Sequence, residues 1–282
     1  MPAYRRQHFV PCSYLANFAS ERRADARTSR IWAFNGRVCL NVPVESQAAE
    51  AYLYSRLDPE GAERYLHGTF EHDYPGIAKK IIGRETITEE ERFRLLIFML
   101  SLYARSPDFE VRDGAERVRS LSDIIGSLVN AVEPVRPEDY AEEGDYAPRL
   151  LSRFSTAVIR LQERTSIWTS DNPCVPLDDR ATGTMAAVVF LPIDPKTIVV
   201  YYRNDVFRQR AEPAPVGDFQ LFATQVRDRR IRWVYHHADL SQMCRPDLEF
   251  PRAAYARQYV DARRVGFSMP VLLKPLSFLE HI

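Results

Sequence analysis

Ile31-Trp32-Ala33-Phe34-Asn35-Gly36-Arg37-Val38-Cys39-Leu40 is the stretch that sets the fold class. Two four-residue runs rich in aliphatic and aromatic side chains flank an Asn-Gly pair, which supplies the positive φ values a two-residue type I′ turn demands. Two antiparallel strands are therefore predicted, Ile31 to Phe34 and Arg37 to Leu40. A parallel sheet would need long crossovers instead.

Upstream, Pro11 ahead of Tyr14, Leu15 and Phe18 predicts a short helix that turns those three side chains inward. The basic, polar run from Glu21 to Arg30 reads as a surface loop. Downstream of Pro43, Glu45 to Tyr54 predicts a short helix. Asp58-Pro59 then opens a longer one as N-cap and N1, expected to end near Gly83. Thr88-Glu89-Glu90-Glu91 is a capping box ahead of Phe93 to Tyr103, a segment apolar on almost every side and so expected at the centre of the core. A further helix follows Pro107, with Val111, Val118, Leu121, Ile124, Ile125 and Leu128 on its buried stripe, until Pro134 stops it. The acidic, proline-bearing stretch 133–148 reads as an exposed crossover, and Arg149 to Arg164 returns to helical periodicity.

From Thr165 the texture changes. Ser166 to Thr169, Ala186 to Leu191 and Thr197 to Tyr202 are β-branched or aromatic runs bounded by proline and Asp/Asn turns, hence strands of one sheet. Asp218 to Val234 reads as helix. The sum is an α+β chain: one helix-rich domain over residues 1–282, with an N-terminal hairpin and a mixed or antiparallel sheet formed mainly by the second half. A parallel doubly wound fold is the second choice.

Composition narrows the function classes. With 45% hydrophobic and 27% charged residues the 282-residue chain has ample material for a core, and its 38 basic residues offset 38 acidic ones. No global field therefore steers it to nucleic acid or an anionic membrane, and any such binding has to be local. Lysine occurs only at 79, 80, 196 and 274, a bias toward arginine that fits a GC-rich genome. Cys12, Cys39, Cys174 and Cys244 never form CxxC, which argues against a zinc knuckle or a disulfide scaffold. The N-terminus lacks an apolar signal region and no run approaches membrane-spanning length, so the expected location is the cytoplasm, with no membrane partner. GxGxxG, Walker A and GxSxG patterns are all missing.

A few polar positions remain that could carry chemistry. His8 precedes a predicted helix start, whose amides and dipole favour an anion and a neutral imidazole, suited to a general base or metal ligand; the alternative is plain backbone capping. Thr169-Ser170-Asp171-Asn172-Pro173 follows a predicted strand, so Asp171 could ligate a cation or orient His8, although Asp-Asn-Pro is also what a tight turn looks like. Glu63, His67 and Glu71 share one helical stripe that could face a metal or solvent. Asp171 and Asp194-Pro195-Lys196 faintly match the carboxylate spacing of restriction-type nucleases, against which Pro195 counts within a central strand. Arg105 ends the most apolar helix, either as a cap or as a phosphate fork. Arg227, Arg229, Arg230 and Arg232 could track a polyanion or form an ordinary solvated face.

QHFVPCSYLANFAS, IWAF, PVESQAAEAYLYS, Glu71, EERFRLLIFMLSLYARSP, WTSDNP and LPIDP, running from Gln7 to about Pro195, together resemble a bacterial group of unknown biochemistry, domain-of-unknown-function family 4238. The resemblance implies that His8, Glu50, Glu71, Arg105, Asp171 and Asn172 are positions where such proteins keep polar residues, and it implies no reaction. Cys12 stands where relatives often carry a basic residue, and Cys174 where an aliphatic one is usual.

The leading expectation is a metal-assisted phosphodiester hydrolase, nuclease-like and of the toxin or phage-defence type. His8, Asp171, Asn172 and Arg105 are its catalytic candidates, and Glu71, Asp171 and His8 its candidate ligands for Mg²⁺ or Mn²⁺. Nucleic acid or a nucleotide is then the expected partner. The alternatives are a non-catalytic interaction module, in which the same residues are caps and turns, and a metal-free enzyme acting on a small molecule.

Overall fold

Thr88 and Glu91 close the capping box as the sequence requires: Glu91 N–H donates to Thr88 Oγ1 (3.1 Å) and Thr88 N–H to Glu91 Oε2 (2.9 Å). The computed structural model that contains this box describes residues 6–35, 37–51, 64, 66–105, 154–161, 166–179, 184–203, 233–239 and 279–281. The box opens the longest described helix, Glu89–Ala104. Leu95, Leu96, Phe98, Met99, Leu100 and Leu102 along it are all buried, so the all-round apolar segment is central to the core.

The first strand, β1 (Arg6–His8), leads through Pro11 into helix α1 (Cys12–Leu15), continued by a 3-10 turn to Phe18. Tyr14, Leu15 and Phe18 are fully buried, as their spacing predicts. Strands β2 (Arg30–Phe34) and β3 (Cys39–Pro43) form the expected hairpin, in a different register. Phe34 pairs with Cys39, so four residues make the connection rather than two. Asn35 is the cause: its Oδ1 accepts the amides of Arg37 (2.9 Å) and Val38 (3.0 Å), and this Asx turn displaces the tight type I′ turn. The shift is by two residues, so every side chain keeps its face.

The helix expected over 45–54 is not found in the described part of that range. A 3-10 turn, Val44–Ser46, is followed by Ala48 at φ 47° and then by β4 (Ala49–Ala51), which pairs antiparallel with β1. The left-handed residue redirects the chain onto β1, whose amides need partners. Asp58-Pro59 lies outside the described residues; the described part of the helix expected to run on to Gly83 is two pieces. A π-helical turn, His67–Glu71, gives way to α2 (Tyr74–Ile82), capped at Gly83. Pro75 in the first turn of α2 cannot donate to the carbonyl of Glu71, which breaks the ladder there. With α3 denoting Glu89–Ala104, Tyr74 stacks on Phe98 of α3 with ring centroids 4.1 Å apart.

Corrections continue in the second half. Phe154–Arg160 is strand β5, not part of a helix over 149–164, because both its edges are paired: by β9 (Thr197–Arg203) on one side and by β11 (Leu279–His281) on the other. Thr169–Ser170 is β6, Val175–Asp179 is β7, Thr184–Asp194 is β8 and Val234–His236 is β10. Val234 is thus extended, while 218–232 of the helix predicted there, the helix after Pro107, the crossover 133–148 and the Arg227 to Arg232 cluster all lie outside the described residues. Strands run antiparallel throughout, in sheets ordered β11-β5-β9-β8-β7, β3-β2-β10-β6 and β1-β4. The second sheet joins the early hairpin to strands from the second half. The α+β class holds.

Side-chain hydrogen bonds tie these layers together. Arg92 of α3 donates to Thr156 of β5 (3.1 Å), Tyr201 of β9 donates to the Arg92 carbonyl (2.7 Å), and Arg160 donates to the carbonyl of Ile81 (2.7 Å). Tyr14 of α1 reaches the two larger sheets: its hydroxyl donates to the Pro192 carbonyl (2.7 Å) and accepts from Thr169 Oγ1 (2.6 Å). Among the described residues no helix is long and apolar enough to cross a membrane.

Candidate functional site

His8 ends β1, where Phe9 N–H donates to the carbonyl of the left-handed Ala48 (2.9 Å). Its Nε2 lies 3.1 Å from the Glu45 carbonyl, which fixes the proton on Nε2 and the lone pair on Nδ1. Burial holds the imidazole below its ordinary pKa, and the cations of Arg27 and Arg6 add to this against the opposing pull of the Glu45 carbonyl and Glu71. His8 is therefore neutral near pH 7. Cys12, the first residue of α1, is pushed up to about 12, chiefly by burial, so it remains a thiol.

Glu71 closes the π-helical turn, in which His72 N–H bonds the carbonyl of His67 (2.9 Å). Such widened turns re-aim the side chains that follow, and they recur at functional sites. The carboxylate meets Arg105: Nη1 donates to Oε1 at 2.6 Å, with the arginine side chain 0% and the glutamate side chain 15% exposed. Arg105 caps α3 with its backbone, N–H to the Ser101 carbonyl at 2.9 Å, while the guanidinium turns inward. Its Nε and Nη2 are buried and, among the described residues, have no hydrogen-bond partner. These two N–H groups share one edge of the guanidinium, the edge that forms bidentate forks with carboxylate or phosphate oxygens.

Asp171 and Asn172 occupy the strand-end turn after β6 and are almost fully buried. Asp171 Oδ2 accepts the Trp233 amide (2.9 Å), its own N–H donates to the Trp233 carbonyl (3.2 Å), and Asn172 N–H donates to Ser170 Oγ (3.1 Å). The turn reading of Asp-Asn-Pro is thus part of the truth: Asp171 locks β6 to β10. Tyr235 of β10, fully buried, links the turn to the His8 strand, since its phenol oxygen lies beside the Ala48 backbone N–H and feels the Asp171 carboxylate. Burial first, and Asp171 next, hold that phenol protonated.

His8, Cys12, Glu71 and Arg105 are accordingly one neighbourhood, and Asp171 and Asn172 connect to it through Tyr235 and Ala48. Of the helical stripe, Glu63 lies outside the described residues and His67 is 68% exposed, with Nδ1 4.0 Å from Glu71 Oε2. Glu50 stands opposite Gln7 on β4. Asp194-Pro195-Lys196 is the β8–β9 turn, closed by Lys196 N–H on Asp194 Oδ1 (2.8 Å), so the nuclease-like spacing marks a hairpin. Among the described residues no three His, Cys, Asp or Glu side chains come close enough to hold a metal. Donor atoms of Glu71 and Asp171 are already engaged by Arg105 and Trp233, so the donor set fits an oxyanion at Arg105 better than a preformed cation cage.

A second polar pair was not anticipated. Ser166 Oγ lies 2.9 Å from His236 Nε2, and burial, then the neighbouring His237, bring His236 down to about 4. Only the polar texture of Tyr235-His236-His237 hinted at it.

These features define an α+β protein of antiparallel sheets with a buried, half-paired arginine beside a neutral histidine. The chain belongs to the family described as "Protein of unknown function (DUF4238)", whose model matches residues 6–242. Neither the curated proteins nor the solved structures hold a match to it.

Proposed function

We propose that the chain is a phosphodiester hydrolase, nuclease-like and suited to a toxin or phage-defence role, whose substrate phosphate sits on the Nε–Nη2 edge of Arg105. One observation carries the reading: a guanidinium with no exposed surface keeps two donors on one edge without a partner among the described residues. Each unmade bond of a buried charged donor costs about 1–3 kcal/mol or more, a cost that a ligand oxyanion would remove. Glu71 fixes the guanidinium plane from its other side. His8, neutral and with its lone pair on Nδ1, takes the proton of the attacking water as that oxygen bonds to phosphorus and the bond to the leaving alcohol's oxygen breaks, the departing oxygen taking its proton from solvent. Asp171 and Asn172 hold the β6–β10 junction on which Tyr235 and the His8 strand rest.

A divalent cation, Mg²⁺ or Mn²⁺, belongs to this proposal as a companion of the substrate, since Mg²⁺ is commonly held by one or two carboxylates together with substrate phosphates. Glu71 would supply the carboxylate through Oε2, since its Oε1 is held by Arg105.

The test is turnover of bis(p-nitrophenyl) phosphate and of single-stranded DNA and RNA, with Mg²⁺, Mn²⁺ or chelator. His8→Ala is expected to lose about 10²–10⁴-fold, the usual worth of a general base, while retaining the wild-type circular dichroism. Absence of turnover on every substrate and with every cation refutes the hydrolase. Phosphate binding without turnover would instead place the chain among non-catalytic binding modules.

A further inference from the structure

Arg27 stands on the 3-10 turn Ala26–Thr28, capped where its own N–H meets Asp25 Oδ1 (3.0 Å). The turn packs against α1, which carries Cys12, and against the Val44–Ser46 turn, whose Glu45 carbonyl holds His8. Arg27 is exposed, and among the described residues no carboxylate pairs with it, whereas Arg23 pairs with Glu21, Arg94 with Asp73 and Glu90, and Arg105 with Glu71. Its charge bears on both His8 and Cys12, and so does that of Glu71. His8 and Cys12 therefore lie between Arg27, whose side chain reaches the Cys12 thiol and with which no carboxylate pairs among the described residues, and Glu71, the carboxylate that holds the buried Arg105. The imidazole and the thiol are both uncharged at neutral pH, so an anion lying over them meets no opposing negative group from either.

Resting on the reading of Arg105 as a phosphate fork, we propose that Arg27 is a second anchor of the same site, and that the ligand class carries two linked anionic groups, of which pyrophosphate is the simplest. A single phosphate fills the Arg105 edge and leaves Arg27 unused. A second anionic group would meet Arg27 at the entrance and set the direction in which the substrate enters. The exposed anchor works in a higher dielectric than the buried one, so its contribution is the smaller and the more sensitive to salt.

Calorimetric titration of the full chain with inorganic phosphate and with pyrophosphate, at low and at moderate salt, tests this. Wild type is expected to favour pyrophosphate. Arg27→Ala should weaken pyrophosphate about tenfold, the worth of one charge-assisted contact, and phosphate far less. Arg27→Lys should recover part of the loss, Arg105→Met should weaken both ligands, and Arg23→Ala, whose guanidinium pairs with Glu21 at 3.7 Å, should change neither. A wild type without preference, or an Arg27→Ala variant that keeps it, overturns the second anchor and leaves the Arg105 fork standing. If neither ligand binds wild type, the fork itself is wrong and the second anchor goes with it.

Discussion

Replacing Arg105 and Glu71 together, by Arg105→Met and Glu71→Gln, should make the protein more stable while removing its affinity for phosphate. Either change alone leaves a buried or largely buried charge without its partner, since the side chains are 0% and 15% exposed, and about 3–5 kcal/mol of destabilisation is the usual result. The double variant removes both charges and the two orphaned N–H donors at once. Replacements of this kind are commonly neutral or stabilising by about 1–4 kcal/mol. For domains of this order of size each kcal/mol moves the midpoint by roughly 2–4 °C, so the double variant should melt at, or several degrees above, the wild-type temperature. Thermal and urea unfolding followed by circular dichroism read this directly, and an unchanged urea m-value would show that the unfolded reference is the same. Phosphate at about 100 times its dissociation constant should stabilise wild type by about 2.7 kcal/mol and the double variant not at all. A double variant more than about 1 kcal/mol less stable than wild type would refute the reasoning, because Arg105 would then be a structural strut and its free edge no binding site.

Three further outcomes follow from the same geometry. His236, depressed from 6.5 to about 4, is unprotonated in the folded chain at pH values where the unfolded chain binds a proton; stability should be complete above about pH 6.5 and fall by about 3 kcal/mol toward pH 4, a loss that His236→Gln should largely abolish in pH-dependent unfolding. Activity should keep its base form at neutral pH, with the acid limb of the kcat/KM profile below 6.5 because the His8 pKa is lowered; a midpoint above 6.5 would rule out His8 as the base. Tyr14→Phe strands the Thr169 hydroxyl and the Pro192 carbonyl and should cost about 1–3 kcal/mol in denaturant unfolding, whereas a change under about 0.5 kcal/mol would mean that the two groups find other partners.

Local chemistry was legible wherever one residue acts on its near neighbours. Thr88 and Glu91 declare their own helix start, Tyr14, Leu15 and Phe18 declare an inward face, and Thr197 to Tyr202 declares a strand. Reading failed where a partner distant in sequence overrules propensity. Phe154–Arg160 has a pattern that a helix could also bury, and it is extended because β9 and β11 satisfy its amides on both edges. The segment after Glu45 follows the same rule, since pairing with β1 outweighs its helix-forming alanines and holds Ala48 at a positive φ.

The site divides along the same line. By itself the sequence determined which polar residues were available, His8, Glu71, Arg105, Asp171 and Asn172, and the resemblance selected the same positions. Tertiary structure alone decided that Glu71 and Arg105, 34 residues apart, form a buried pair, that Asp171 serves the β6–β10 junction, and that Arg27, lost in a basic surface loop, stands beside His8. The physical reason is that hydrogen-bonding capacity belongs to a residue type, whereas an unused donor belongs to a place. Whether Arg105 is satisfied depends on every group that the fold brings to its two edges, and only the fold counts them.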